Sequence, residues 1–294
     1  VNPFSLRHAT GSAWLTKQVG AALAEDLGDA GDITSLATLP ENRQGFAELI
    51  AKSDGVIAGI DWAVETGAQL NPPANWVFSV ADGERVQSGQ RLAEVTGPLR
   101  SILISERTAL NGVGHLSGIA TQTAVAVQLL EGTNAQVYDT RKTMPGWRNA
   151  QKYAVRCGGG ENHRIGLFDE ILLKENHLRP CGGVAAGVRK AQEWRQLHNP
   201  SIPIESEVTS LQELEEALIA KPDRILLDNF TFEMMRQAVR ITAGRIPLEA
   251  SGGITLENLQ EVASTGVERI SLGALTHSVK PLDLSLLVRE TRLT

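Results

Sequence analysis

The stretch Asp139-Thr140-Arg141-Lys142-Thr143-Met144-Pro145 sets two cations into a turn at the point where a short apolar run, Ala135 to Tyr138, stops. Further along the chain the arrangement recurs: an apolar, strand-like run, then polar or glycine residues at once. The predicted strands are Gln136 to Tyr138, Glu170 to Leu173, Ile202 to Ile204, Arg224 to Leu227, Pro247 to Ala250 and Arg269 to Leu272. The last four begin about 22 residues apart, which leaves room for a strand, a helix and two short loops. After Tyr138, the strand ends carry Lys174-Glu175-Asn176-His177, Glu205-Ser206-Glu207, Asp228-Asn229, Ser251-Gly252-Gly253 and Gly273-Ala274.

Strands alternating with amphipathic helices make a parallel sheet. In a parallel barrel the C-terminal strand ends share one face, where such folds place their chemistry. An open doubly wound sheet would align its strand ends too, but usually begins with a Gly-rich dinucleotide loop. The nearest candidate, Gly112 to Gly118, has the wrong spacing and no strand before it.

The first hundred residues read differently. A helix over Ser12 to Leu27 precedes strand-like runs at Phe46 to Ala51, Gly55 to Ala58, Trp76 to Val80 and Arg91 to Val95, and a long helix follows from Leu99 to Glu131. Ala81 to Leu92 is similar to the hairpin of biotinyl and lipoyl carrier domains, but no lysine stands at its centre, so it reads as structural. The expected division is a small α/β domain over 1–111 and an α/β barrel over 112–277, with 278–294 returning to the first domain.

Composition narrows the function. The 294 residues, 42% hydrophobic and 21% charged, are enough for a large buried core. No apolar run approaches the roughly 20 residues of a membrane span, and Val1 to Gly20 lacks the order of a secretory signal, so the expected location is the cytoplasm. Cys157 and Cys181 form no CxxC pair and read as buried reduced thiols. From Arg141 to Arg164 there are six basic residues and a single acid, Glu161, in a chain of net charge -6. Such a local reversal of sign suits a pocket for anions better than a nucleic-acid surface.

Arginine forks suit planar carboxylates, and lysine, a mobile point charge, suits phosphate. Arg141 and Arg164 supply the first, Lys142 and Lys174 the second, with His163 alongside; a solvated basic face is the plain alternative. The Gly158-Gly159-Gly160 turn could cradle an anion or simply reverse the chain. Glu207 and Asp228 could hold Mg²⁺, bond ribose hydroxyls or neutralise a neighbouring cation; a glycosidase-like acid and base is a further reading. Ser251 to Gly253, followed by Gly273 and Ala274, resembles the paired loops of phosphate-binding barrels. His115, His198 and His277 lack metal-ligand spacing, and the P-loop, zincin and serine-hydrolase motifs are missing.

Taken together, the chain resembles the quinolinate phosphoribosyltransferase family over almost its whole length. The resemblance runs through Glu25-Asp26-Leu27-Gly28, Gly31-Asp32-Ile33-Thr34, Ser105 to Asn111, Ser117 to Thr121, Asp139 to Thr143, Cys157 to Gly160, Asn162-His163-Arg164, Leu173 to His177, Leu227 to Phe230 and Ser251 to Ile254. It implies an irregular α/β barrel with a smaller N-terminal α/β domain. It also implies a homodimer or larger assembly with shared active sites, and a Mg²⁺-dependent reaction of quinolinate with 5-phosphoribosyl-1-pyrophosphate in NAD synthesis. On the same basis Arg107 would reach the quinolinate of a neighbouring subunit, while Arg141, His163 and Arg164 bind its carboxylates. Lys142 and Lys174 would lie near substrate anions and Glu207 and Asp228 would hold ribose and metal. Ser251, Gly252, Gly253, Gly273 and Ala274 would take the 5-phosphate. The alternatives are a related phosphoribosyltransferase for nicotinate or another small acid, and a non-catalytic phosphometabolite-binding protein.

Overall fold

The computed structural model describes residues 5–289, so residues 1–4 and the last part of the expected returning segment, 290–294, lie outside the described residues. The chain divides into two compact units: 1–124, 145–159 and 278–294 in the first, 125–144 and 160–277 in the second. The division expected after residue 111 falls inside the helix Leu99–Leu129, a continuous rod of 31 residues. Among the described residues, no helix is long and apolar enough to cross a membrane.

The strands, in chain order, are β1 (Gln44–Ala51), β2 (Gly55–Val56), β3 (Asn75–Phe78), β4 (Arg85–Val86), β5 (Arg91–Pro98), β6 (Gln136–Tyr138), β7 (Ile171–Leu173), β8 (Ile204–Val208), β9 (Arg224–Asp228), β10 (Leu248–Ser251), β11 (Arg269–Ser271) and β12 (Leu284–Arg289).

In the first unit an antiparallel sheet runs in the order β12-β1-β5-β3, and β2 pairs with β4. Alternation in β1 buries Ala47, Leu49 and Ala51, which join Trp76, Leu92, Val95, Ile102 and Leu286 in one core. The helix Ser12–Leu27 keeps the bounds expected from sequence. The carrier-like hairpin is tied down by its own acid: Tyr153 Oη donates to Asp82 Oδ2 at 2.7 Å, and burial pushes the Asp82 carboxyl up. Within the triple glycine, Gly158 serves close packing. A Cβ there would lie 2.3 Å from the carbonyl oxygen of Ala120, so close backbone packing requires that glycine.

The second unit is an irregular α/β barrel built on six parallel strands in the order β6-β11-β10-β9-β8-β7. Helices Val184–His198, Leu211–Ala220 and Phe232–Thr242 follow its strands. Ser210 Oγ caps the second of these, accepting from the Glu213 amide at 3.1 Å. The sheet is strongly curled. His163 Nε2 is 3.2 Å from Glu205 on β8 and 3.3 Å from Glu249 on β10, although β9 separates those strands and adjacent strands stand ~4.8 Å apart. Among the described residues β6 and β7 do not pair with each other, and Tyr138 bridges to Glu161 instead.

One strand is displaced from its expected place. The run Ile202 to Ile204 was the predicted strand, with Glu205 to Glu207 beyond its end, but β8 begins at Ile204 and includes both acids. The apolar signal stops early because the inward face of this strand is acidic, and Arg224 and Lys174 on neighbouring elements answer it.

Candidate active site

Side chains alternate across a strand, so every second residue of the barrel strands faces the same way. That rule sorts the site into levels. Glu205 on β8, Arg224 on β9, Glu249 on β10 and Arg269 on β11, with Glu170 just before β7, form a charged layer of buried acids and partly buried arginines. Arg269 Nε lies 2.7 Å from Glu249 Oε2, its guanidinium 3.6 Å over the Tyr138 ring, and Arg224 pairs with Glu170. Two residues further along each strand stand Leu172, Glu207, Leu226, Ser251 and Ser271; beyond them come Lys174 and Asp228.

Above the layer opens a cavity of about 540 Å³ whose lining includes Arg141, Lys142, His163, Arg164, Lys174, Asp228, Ser251, Gly252 and Gly253. Nine residues named from sequence therefore meet in one bowl. Glu207 sits at its edge: Lys174 Nζ donates to Glu207 Oε2 at 2.5 Å, and Glu207 lines a neighbouring cavity of about 480 Å³ with Glu175 and Arg179. Gly273 lies against the Lys142 stem, with a Cβ there 3.3 Å from Lys142 Cδ, and Ala274 opens the short helix Ala274–His277. From that helix Thr276 Oγ1 donates to the Lys142 carbonyl at 2.9 Å. Arg107 belongs to the first unit, exposed on the helix Leu99–Leu129.

The electrostatics follow from this crowding. Burial, and after it the Arg141 guanidinium, draws Arg164 below the usual guanidinium range. Burial and then the Glu207 carboxylate push Asp228 up, against a hydrogen bond from Asn229 and the charges of Lys174 and Lys142. In the layer below, Glu170, Glu205 and Glu249 face Arg224 and Arg269, which leaves one negative charge for a proton to cancel. Burial disfavours that proton on His163, but Glu205 and Glu249 outweigh it and would push the ring up to about 9. The Arg164 amide, however, donates to His163 Nδ1 at 2.7 Å and leaves no place for a second ring proton. The ring therefore holds its hydrogen on Nε2, between the two acids. The extra proton stays with Glu205, which burial and then Glu249 push up to about 7. Burial also works against the Glu249 carboxylate, but His163, Arg269 and Ser271 hold it well below the usual range.

Two features escaped the sequence reading. The charged layer is one, since Glu170, Arg224, Glu249 and Arg269 look like surface residues until alternation places them inside. The other is a role for Asn229, named at its strand end without a function, which lines the cavity in the left-handed conformation at φ 55°. Its position after Asp228 at a strand end was the available signal.

Comparison with known proteins agrees with the fold. The family model described as Quinolinate phosphoribosyl transferase, N-terminal domain, matches residues 32–117, and the corresponding C-terminal domain model matches residues 119–287. The chain is 44% identical over 270 residues to a Mycobacterium leprae protein named nicotinate-nucleotide pyrophosphorylase [carboxylating], covering 90% of this chain and 94% of that one. It is 39% identical over 280 residues to quinolinate phosphoribosyltransferase [decarboxylating] 1b of Nicotiana tabacum, covering 90% of this chain and 79% of that protein. The solved nicotinate-nucleotide pyrophosphorylase of Francisella tularensis superposes with a TM-score of 0.89 at 44% identity, covering 94% of this chain and 96% of that one. By sequence and by fold, the chain belongs to the quinolinate phosphoribosyltransferase family.

Proposed function

We infer that this protein joins quinolinate to 5-phosphoribosyl-1-pyrophosphate, giving nicotinate mononucleotide, pyrophosphate and CO2. The observation that carries the reading is one bowl in which two arginines, two lysines, a carboxylate and a glycine turn converge. Arg141 and Arg164 offer planar forks for the two carboxylates of quinolinate. His163 supports them from below, through the Arg164 amide. Ser251, Gly252 and Gly253, with Gly273 and Ala274 nearby, take the 5-phosphate on backbone N–H groups, which requires the close approach that glycines permit.

The bond from ribose C1 to pyrophosphate breaks as the pyridine nitrogen bonds to C1. Positive charge develops on the ribose, and the Asp228 carboxylate stabilises it, while Lys142 and Lys174 stabilise the departing pyrophosphate. Holding both reactants in one bowl removes much of the entropic barrier. The ring nitrogen, now cationic, then accepts electron density as the adjacent carboxylate leaves as CO2, and a proton replaces it on carbon.

Glu207 and Asp228 fit Mg²⁺. Asp228 is pushed up partly by the Glu207 carboxylate, a repulsion that a divalent ion would relieve. When bound, the ion neutralises charge on the pyrophosphate. We also propose a homodimer or larger assembly in which Arg107 reaches a neighbouring subunit's quinolinate.

The test is product analysis. Purified protein with Mg²⁺, quinolinate and the ribosyl donor should release CO2 and nicotinate mononucleotide in equal amounts, and nicotinate should not replace quinolinate. Turnover of nicotinate alone would sink the assignment in favour of a nicotinate-using relative.

A further inference from the structure

We propose that Asn229 is a positioning residue that sets the distance between the ribose-binding and phosphate-binding ends of the site, and so governs affinity for the phosphoribosyl donor. This deepens the function proposed above and rests on it.

Three contacts and one backbone conformation single out this residue. Asn229 Nδ2 donates to Asp228 Oδ2 at 2.9 Å. The Asn229 amide donates to the Ser251 carbonyl at 3.0 Å. Its Oδ1 lies so close to Gly252 that a Cβ at 252 would stand 2.2 Å away. Its backbone, at φ 55°, adopts the left-handed conformation that Asn tolerates better than most residues. One residue thus clamps the acid at the end of β9 to the glycine turn at the end of β10.

The chemistry gives the clamp a purpose. A ribose 5-phosphate carries its ring hydroxyls at one end and its phosphate at the other, with a fixed carbon skeleton between. A protein that binds both ends must hold its acid and its N–H donors at a matching separation. Asn229 occupies Asp228 Oδ2, so a ligand is met by Oδ1 of a carboxylate oriented by that hydrogen bond. On its other side the same amide abuts Gly252, at φ 89°, and fixes where that turn presents its amides. Aspartate at 229 would keep the shape but place a negative charge against Asp228.

Asn229→Gly removes the side chain while keeping the backbone conformation accessible. The expected result is a rise of about tenfold in KM for the ribosyl donor, the size of one lost hydrogen bond to a charged group. KM for quinolinate should stay within about twofold and the melting temperature should be unchanged. Asn229→Asp should weaken donor binding further. Ribose 5-phosphate binding by calorimetry, measured on the wild type and on Asn229→Gly, separates the two layers of inference. A wild type that binds ribose 5-phosphate but does not turn over quinolinate sinks the assigned reaction; weaker binding by the variant would still support the clamp. Equal affinity in both proteins, equal loss for both substrates, or no ribose 5-phosphate binding by the wild type would overturn the clamp.

Discussion

Lys174 Nζ lies 2.5 Å from Glu207 Oε2, and the Glu175 amide lies 3.4 Å from the other oxygen of the same carboxylate. A cation assigned to the leaving group is therefore held by an acid assigned to ribose and metal. Lys174→Met should lower kcat by about a hundredfold or more, the scale of losing one preorganised charge at a developing anion. It should also leave Glu207 free to raise Asp228 further. Steady-state kinetics at two Mg²⁺ concentrations measure this, and an unchanged kcat would refute the role of Lys174.

Arg141→Ala and Asp228→Ala should separate the two substrates. The first removes a carboxylate fork and should raise KM for quinolinate by about ten- to a hundredfold. The second should act mainly on kcat and on KM for the ribosyl donor. A common pattern of loss in both variants would contradict the division of the bowl.

The proposed sharing of active sites makes a sharper prediction for Arg107. Arg107→Ala and Lys174→Met should each be nearly inactive, yet mixing and reassembling them should restore part of the wild-type rate, because some sites would draw an intact residue from each subunit. No recovery after verified exchange of subunits would exclude a contribution from Arg107 across the interface.

The buried layer predicts a pH dependence of stability. Glu205 is raised from an ordinary 4.5 to about 7, so the fold favours its protonated form. Its contribution is fully present below pH 4.5 and is lost as pH rises through about 7. Urea midpoints should fall across that window, and Glu205→Gln, which cannot lose the proton, should flatten the slope. Glu249→Gln should also destabilise the fold, because it leaves the partly buried Arg269 without its carboxylate.

Gly158→Ala should destabilise the fold without touching the bowl. Its new Cβ would stand 2.3 Å from a backbone oxygen and 2.6 Å from Thr123 Cβ, an overpacking cost of about 1–3 kcal/mol. Denaturation would show the loss, with kinetic constants at low temperature unchanged.

Most of the bowl was legible because its lining sits at strand ends, where apolar runs stop and polar residues begin. The strand Arg224–Asp228, with Ile225 and Leu227 wholly buried, announced Asp228 directly. Glu205 was harder. An acid at zero exposure resembles a loop residue in sequence, so the predicted strand stopped where its inward face turned acidic. Only the register that sets Glu205 beside Arg224, and Glu249 beside Arg269, shows why the acid is tolerated. Asn229 illustrates a different limit. Its importance lies in what it touches on the neighbouring strand, and that pairing is not written in the local sequence.

A barrel with ionic side chains at its centre has a consequence for how it assembles. Grease tolerates partial company, since a half-formed oily core still gains something from each contact. Glu249 without Arg269, or Glu205 without its proton and His163, would be a bare charge out of water. Intermediates missing any one of these strands are thereby penalised, and the second unit is expected to close in a single concerted event.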